Sequence, residues 1–244
     1  MKTSFKPAFR YQFVNFLKSA AVFYLIIVVI TTAFLIVSVH FAADSSMSFT
    51  GNGNAFAIGM FVVAIVYIRS DLRLCLQFGV SRRTAFISEI LAVLSVSAIL
   101  AVAGELLTAI TQVVVLSNPN SFVGDVYQLI YMDAARVLPT FGQHMLSALI
   151  NTGMFFCASL IGMFFSLLFW RLNKLWTIVV AIAIPFAING VPILLVRLGF
   201  NLNPFIEWIA SSPFCFALTS LTIAAAAALI DWLLLRRANI KARK

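Results

Sequence analysis

Apolar runs of 18 residues or more recur along the whole chain, and no other feature constrains its fold as strongly. An α-helix needs about 20 such residues to cross the hydrocarbon core of a bilayer. Of the 244 residues, 62% are hydrophobic and only 10% are charged. Soluble domains are about 45–50% apolar and about 25% charged. The sequence therefore predicts an integral membrane protein that crosses the bilayer several times.

The runs predict an all-α fold, a single transmembrane domain over residues 1–244 with six membrane-spanning helices. The predicted spans are residues 20–40, 55–68, 85–116, 144–170, 175–198 and 214–235. The second of these is short for a core about 30 Å thick at about 1.5 Å per residue. We therefore expect this span either to begin within the preceding loop or to be completed by its neighbours.

The first 18 residues alternate basic and aromatic positions. Phe9, Phe13 and Phe16 fall at helical spacing, which predicts an amphipathic helix lying on the cytoplasmic leaflet. The alternative is a frayed tail. The following run, residues 20–39, is longer than the roughly 7–15 residues of a signal-peptide core, so we expect an uncleaved first span.

The distribution of positive charge predicts the orientation. If the N-terminus is cytoplasmic and six helices span the bilayer, all 17 Lys and Arg residues except Arg136 and Arg197 fall on the cytoplasmic side. Cytoplasmic loops carry such an excess of Lys and Arg. We expect both termini to be cytoplasmic, and we interpret the net charge of +9 as a topology signal rather than a nucleic-acid site.

Two segments between spans are expected to have structure of their own. Tyr127–Tyr131 predicts a short interfacial helix. Residues 199–213 are too apolar for a free loop and, with Gly199 and Pro204, too interrupted for a span. They form either a re-entrant pair of short helices before the last span or a surface segment with an interfacial Trp208.

Motifs of enzyme chemistry are absent. The sequence has no P-loop, no HExxH and no GxSxG, and its three cysteines, Cys75, Cys157 and Cys215, lie far apart. His40 and His144 stand at span ends, where interfacial histidines need no further role. We therefore expect no catalytic residue, no cofactor and no metal in this chain.

Ionisable groups inside a membrane are functional candidates. Glu105 lies near the outer end of the third span, where it would pair with Arg136 or Arg197 or line an outer vestibule. Asn151 and Asn189 complete the candidate pathway. Both asparagines are uncharged, whereas an ion-coupled transporter would need several ionisable groups at mid-membrane. The sequence therefore argues against an ion-coupled transporter.

Two further acids stand near cytoplasmic span ends, Glu89 and Asp231. Their simplest partners are basic residues nearby, namely Arg82, Arg83, Arg236 and Arg237. Small residues also line faces of two spans, Ala158-xxx-Gly162-xxx-Ser166 and Ala224 to Ala228. Such faces allow helices to approach closely, within one chain or between two copies.

The most informative polar stretch is Arg69–Thr84. It predicts a short amphipathic helix over residues 69–78, ended by Gly79 in the left-handed conformation. Ser81 is a good N-cap for the third span. The result would be a rigid cytoplasmic corner from which Phe78 and Val80 project. The alternative is an ordinary basic loop with standard helix caps.

The segment LQFGVSRRTAF resembles the first intracellular loop of type-2 ABC transporter permeases, in particular small bacterial exporters of amphipathic or antimicrobial peptides. The six-span layout and the interrupted segment before the last span are similar too. In that family the loop is a coupling helix held in a cleft of a separate ATPase. The contact residues that the resemblance implies are Arg73, Gln77, Phe78, Gly79, Val80, Ser81, Arg82 and Arg83, with Arg171 and Lys174 in a second contact.

The resemblance implies a permease subunit of the bacterial cell membrane that is not itself an enzyme. Two ATPase subunits would bind ATP and Mg²⁺, and a second permease, identical or homologous, would complete the transporter. The 24 phenylalanines and the scarcity of buried charge favour an amphipathic peptide or lipid-like cargo. The alternatives are a motor-independent sensor or assembly factor and, third, a membrane enzyme.

Overall fold

The computed structural model describes residues 5–41, 47–50, 52–115, 121–132, 138–172, 179, 197–199, 201 and 203–236. These residues form seven helices and two short strands. The helices are α1 (Phe5–Phe41), α2 (Asn52–Gln77), α3 (Arg82–Val115), α4 (Val126–Tyr131), α5 (Phe141–Arg171), α6 (Asn203–Ser211) and α7 (Pro213–Arg236). The strands are β1 (Met47–Thr50) and β2 (Ser121–Gly124).

Five of the described helices, α1, α2, α3, α5 and α7, are long and apolar enough to cross a membrane. This agrees with the predicted helical protein of several membrane spans. The predicted fifth span, 175–198, lies outside the described residues apart from isolated positions. Lys174 and Asn189 fall in the same part of the chain.

Helix α1 is one continuous helix of 37 residues, about 56 Å long at about 1.5 Å per residue. The predicted boundary between an interfacial helix at 1–18 and a first span at 20–40 is wrong. Ala8, Gln12, Phe16 and Ala20 are all buried, so one face packs inward across the expected boundary. No Gly or Pro interrupts residues 8–41, and nothing in the sequence ends the helix there.

Helix α2 is longer than the predicted span 55–68 and takes in most of the polar stretch that follows. Its buried face continues through Ala64, Ile68, Leu72 and Cys75, at spacings of four, four and three residues. The separate amphipathic helix predicted over 69–78 is therefore the last part of α2.

Helices α1 and α3 run in the same direction. The Gln12 side chain donates to the Ala85 carbonyl at 3.2 Å, and the Tyr24 hydroxyl donates to the Ala103 carbonyl at 3.0 Å. The order of these contacts along both helices gives the parallel arrangement.

Helices α2, α5 and α7 run the opposite way. The Phe56 and Phe155 rings lie 5.9 Å apart, and the Ser166 hydroxyl donates to the Ile65 carbonyl at 2.9 Å, so α2 and α5 are parallel. Helix α7 is antiparallel to α3, since the Phe86 ring lies 5.3 Å from the Trp232 ring. The end of the bundle where α2 ends and α3 begins is called the corner end below.

The small face of α5 is used within the chain. A Cβ on Gly162 would lie 2.5 Å from the Phe61 carbonyl oxygen and 2.8 Å from the Ala64 Cβ. The Ser166 hydroxyl is also bonded to the α2 backbone. The small residues of α5 therefore allow α2 and α5 to pack in close contact. Ala224 of α7 is likewise buried.

At the end opposite the corner, β1 and β2 pair in parallel, with Met47 opposite Ser121 and Thr50 opposite Gly124. We predicted loops at both places. The pair depends on two segments about 74 residues apart in sequence, which local patterns do not relate. The short helix predicted around Tyr127–Tyr131 is confirmed as α4.

Helix α6 occupies most of the segment 199–213, and none of its side chains is buried. The Trp208 side chain is 44% exposed. Interrupted backbone at membrane depth has to be shielded by protein. The described part of this segment thus agrees better with a surface element carrying Trp208 than with a buried re-entrant pair.

Candidate functional site

The α2–α3 corner is closed by a Schellman motif at the end of α2. Gly79 has a φ of +77°, the left-handed conformation that glycine adopts without strain. Its amide donates to the Leu76 carbonyl at 3.2 Å, and the Val80 amide donates to the Cys75 carbonyl at 3.1 Å. The predicted role of Gly79 is confirmed.

The start of α3 is capped as predicted. The Thr84 amide donates to the Ser81 hydroxyl oxygen at 3.1 Å, and the two hydroxyl oxygens lie 2.8 Å apart. A side-chain oxygen at this position satisfies an amide that the helix itself leaves without an acceptor. Together the two caps make the backbone from Gln77 to Arg82 a defined turn.

The side chains at the corner divide into an exposed and an inward set. Phe78 is 78% exposed, and the Gln77, Ser81 and Arg83 side chains are exposed beside it. Val80 was predicted to project, but it is half-buried and packs against the core. Phe78 is therefore the main apolar group that the corner presents.

The arginines near the corner differ in their contacts. The Arg82 guanidinium donates to the Arg236 carbonyl at 2.5 Å, where helix α7 ends. A cation at a helix C-terminus is favourable because the last carbonyls lack partners. Arg73 is half-buried, and Arg83 is exposed.

Arg171, the described residue of the predicted second contact, lies at the same end of the bundle. Arg171 ends α5 and is exposed. The neighbouring Trp170 ring lies 5.8 Å from the Arg69 guanidinium carbon, which places the end of α5 beside the last turns of α2.

Helix α1 holds both helices that meet at the corner. Asn15 donates to the Asp71 carboxylate on α2 at 2.6 Å. The Ser88 hydroxyl on α3 donates to the Gln12 side-chain oxygen at 2.5 Å. We did not anticipate these contacts, although one signal was present: Asp71 is a lone acid in an otherwise basic stretch.

At the opposite end, Glu105 is buried in a polar cluster. One carboxylate oxygen lies 2.6 Å from His144 Nδ1, and the other accepts from the Ser147 hydroxyl at 2.7 Å. The predicted pairing with Arg197 is not observed, since Arg197 is exposed, and the alternative partner Arg136 lies outside the described residues. The antiparallel packing of α3 and α5 brings the first turns of α5 to Glu105 instead.

Asn151 belongs to an adjoining buried network. Its amide donates to Asp125 Oδ2 at 2.5 Å, and the Gly53 amide donates to Asp125 Oδ1 at 2.9 Å. Asp125 also caps α4, accepting from the Val126 amide at 2.8 Å. Asn151 and Glu105, both predicted to line a pathway, are thus each bonded within the protein.

Within the described residues, Glu89 and Asp231 form none of the predicted pairs with arginine. Both are fully buried, and none of their carboxylate oxygens has a hydrogen-bond partner among the described residues. Arg83 is exposed, and Arg237 lies outside the part of the chain that the structure describes. No three of the described His, Cys, Asp and Glu residues are placed to hold a metal ion together.

A scan against protein-family models and searches of curated proteins and of solved structures found no match to this chain. The permease resemblance therefore depends on the corner motif and on the helix layout.

Proposed function

We propose that this chain is the membrane-spanning subunit of an ATP-driven exporter of the type-2 ABC permease class. The observation that best supports the proposal is Phe78, a large apolar side chain 78% exposed on a turn closed by caps on both sides. An ordinary loop needs neither an exposed phenylalanine nor a defined backbone. A corner that inserts into a protein cleft needs both, because preorganisation lowers the entropy lost on binding.

The contacts behind the corner suggest how a push on Phe78 would spread. The capped turn joins α2 to α3, so displacement of the turn acts on both helices. Through Asn15 and Gln12, α1 is bonded to both of them near this end. The close contact at Gly162 ties α2 to α5. We propose that ATPase closure moves α1, α2, α3 and α5 at the corner end together.

A sixth span is part of the proposal. Helices α5 and α7 run parallel, because α5 is parallel to α2 and α7, like α2, runs opposite to α3. Helix α5 ends at the corner end of the bundle, and α7 begins at the opposite end. The chain between these two helices therefore has to cross back from one end to the other. That return supports the predicted span 175–198 and cytoplasmic termini at the corner end.

Two helices supply the surface proposed for a second permease. Within the described residues α1 and α7 bury the least of their apolar length. Val22, Leu25 and Val29 of α1, and Leu221 and Leu229 of α7, are all more than half exposed. In a bilayer such surfaces contact lipid or another helix. We propose a dimer, with an identical or homologous permease, in the bacterial cell membrane.

The proposed cargo is an amphipathic peptide or lipid-like molecule. The support is compositional: 24 phenylalanines and few charges within the spans. Both carboxylate oxygens of Glu105 and the side-chain NH2 group of Asn151 are bonded to other residues of the bundle, so these two candidate pathway residues are already engaged within the protein.

A matched pair of substitutions tests the assignment. Phe78 and Phe141 are 78% and 77% exposed and lie at opposite ends of the bundle. Full-length protein carrying Phe78→Asp or Phe141→Asp would be purified from its native membrane in mild detergent. The measurements are the amount of co-purifying P-loop ATPase, identified by mass spectrometry, and the ATP hydrolysis of the complex.

We expect Phe78→Asp to lower ATPase recovery at least tenfold, while Phe141→Asp leaves it unchanged. Equal recovery with both variants would contradict docking at the corner. Absence of any P-loop ATPase from the wild-type complex would contradict the permease assignment and favour the motor-independent sensor or assembly factor.

A further inference from the structure

Two acidic side chains share a buried compartment between α1, α2 and α3. Glu89 is 0% exposed and Asp71 is 1% exposed. Asp71 Oδ1 accepts from Asn15 at 2.6 Å and from the Tyr11 hydroxyl at 3.4 Å. Asp71 Oδ2 and both oxygens of Glu89 are buried and have no hydrogen-bond donor in the described structure.

Among the described residues, the titratable side chains that interact electrostatically with Glu89 are weak acids like itself. Asp71 and Cys75 of α2 and Tyr11 of α1 are within electrostatic range of it. No Lys or Arg of the described chain forms an ion pair with either carboxylate. The hydroxyl nearest in sequence, on Ser88, is bonded to Gln12 and to the Ala85 carbonyl instead.

An ionised Glu89 would be strongly unfavourable in this environment. Burying a carboxylate without a partner costs about several kcal/mol of free energy. Such a group therefore takes up a proton and becomes neutral instead. Two adjacent carboxylates in one site also oppose each other's ionisation. Asp71 has two donors and Glu89 has none, so Glu89 is the member of the pair that holds the proton.

We propose that Glu89 is a proton-binding site of this protein, occupied in the conformation described here. Release would transfer the proton from the Glu89 carboxyl group to water and leave a carboxylate that needs hydration or a cation. Since α1, α2 and α3 enclose the site, release requires these helices to separate. The site lies about 10 Å along α3 from Arg82, at about 1.5 Å per residue, and is therefore close to the corner. The proposal does not depend on an ATPase partner.

Infrared difference spectroscopy on the full chain in lipid nanodiscs tests the protonation directly. At neutral pH we expect the carbonyl band of a neutral carboxylic acid in the wild type and its loss in Glu89→Gln. Asp231→Asn assigns any band from Asp231, the other buried acid whose carboxylate oxygens both lack a donor in the described structure, and Glu207→Gln, on the exposed surface of α6, is the control that changes nothing. An unchanged band in Glu89→Gln would overturn the proposal.

The neighbour of Glu89 provides a second test. Asp71→Asn removes the opposing charge, so the Glu89 band should disappear at a lower pH than in the wild type. A merely structural role for Asp71 would leave that midpoint unchanged, and an unchanged midpoint would contradict the shared site.

Thermal unfolding across pH gives an independent readout. The folded protein holds a proton that the unfolded chain releases, so wild-type stability should fall as pH rises, and Glu89→Gln should flatten this dependence. Gln reproduces the neutral acid in shape, so a Glu89→Gln chain that does not fold would count against the proposal. Stabilisation of the wild type by Na⁺ or K⁺ at fixed neutral pH, lost in Glu89→Gln, would show a bound cation in place of the proton and would equally overturn it.

Discussion

Gly162 shows how one missing side chain allows α2 and α5 to pack. An added Cβ would lie 2.5 Å from the Phe61 carbonyl oxygen, and a backbone oxygen inside a helix has little freedom to move. We expect Gly162→Ala to destabilise the protein by about 1–3 kcal/mol, the usual cost of overpacking a tight core. Unfolding in mixed detergent measures it.

The control is Gly142→Ala in the same helix, where nothing lies within 4 Å of the added Cβ. Equal stability of the two alanine variants would show that α2 and α5 are not in close contact at Gly162.

The Glu105 cluster depends on donors from α5. Ser147→Ala removes the donor to Glu105 Oε2, and leaving a buried acceptor without a partner costs about 1–3 kcal/mol. Ser95→Ala is the control, since within the described structure that exposed hydroxyl bonds to the Leu91 carbonyl of its own helix and to no other residue. We expect Ser147→Ala to lose clearly more unfolding free energy than Ser95→Ala.

Combining Ser147→Ala with Glu105→Gln should give a loss smaller than the sum of the single losses, because both remove parts of one interaction. Strict additivity of the two losses would contradict the contact between Ser147 and Glu105.

For single residues, the sequence predicted the roles of Gly79 and Ser81 correctly, since helix caps depend on neighbouring residues. It did not predict the partners of Glu105, because they come from another helix.

Among the elements, the α2–α3 corner makes the sharpest prediction. Gly79→Val places a β-branched residue at φ +77°, which costs about 1–2 kcal/mol or more. Ser81→Ala removes the cap on α3, worth about 1 kcal/mol. Amide exchange at Thr84 should become faster in both variants, while Gly142→Val leaves it unchanged. Slow exchange at Thr84 in Ser81→Ala would show that the cap does not form.

Tyr131 connects α4 to the junction of α6 and α7. Its hydroxyl lies 2.9 Å from the Ile209 carbonyl and 3.2 Å from the Ser212 carbonyl. Burial, with smaller contributions from Cys215 and Tyr127, raises the pKa of Tyr131, so the hydroxyl keeps its proton. Tyr131→Phe should lower the free energy of unfolding by about 1 kcal/mol.

The sign of the pH effect follows from the raised pKa. The neutral hydroxyl is favoured by the fold, so its contribution is present below the ordinary tyrosine pKa of about 10 and is lost as pH rises through the folded value. The difference between wild type and Tyr131→Phe should therefore be constant from pH 6 to 8. A difference that vanishes within this range would contradict the bonded hydroxyl.

The boundaries of α1 show that polar residues and helix ends need not coincide. The polar residues of 1–18 suggested an interfacial helix separate from the first span, yet α1 continues because its buried face continues. Polarity marks where a helix leaves the hydrocarbon, whereas caps and breakers mark where it ends. The sequence has both signals together at Gly79 and Ser81, whereas near residue 19 it has no Gly or Pro, and the Ser19 hydroxyl donates to the Asn15 carbonyl within α1.

For the whole molecule, the orientation in the membrane is the testable property. In a Cys215→Ser background, where Cys75 and Cys157 are buried, Phe78→Cys and Phe141→Cys place one thiol at each end. We expect a membrane-impermeant maleimide to label Phe141→Cys in intact cells and Phe78→Cys only after the membrane is opened. The reverse pattern would invert the proposed topology.

By itself, the sequence determined that the chain forms long apolar helices, that they run through the membrane several times, and that α2 and α3 meet at a capped corner. These properties follow from residue composition and from contacts within a few residues along the chain. Only the tertiary structure decided which polar groups meet. Glu105 contacts His144, Asp125 contacts Asn151, and Glu89 is left without a donor beside Asp71. The physical reason is that such pairs depend on the direction and register of helices far apart in sequence, which no local pattern encodes.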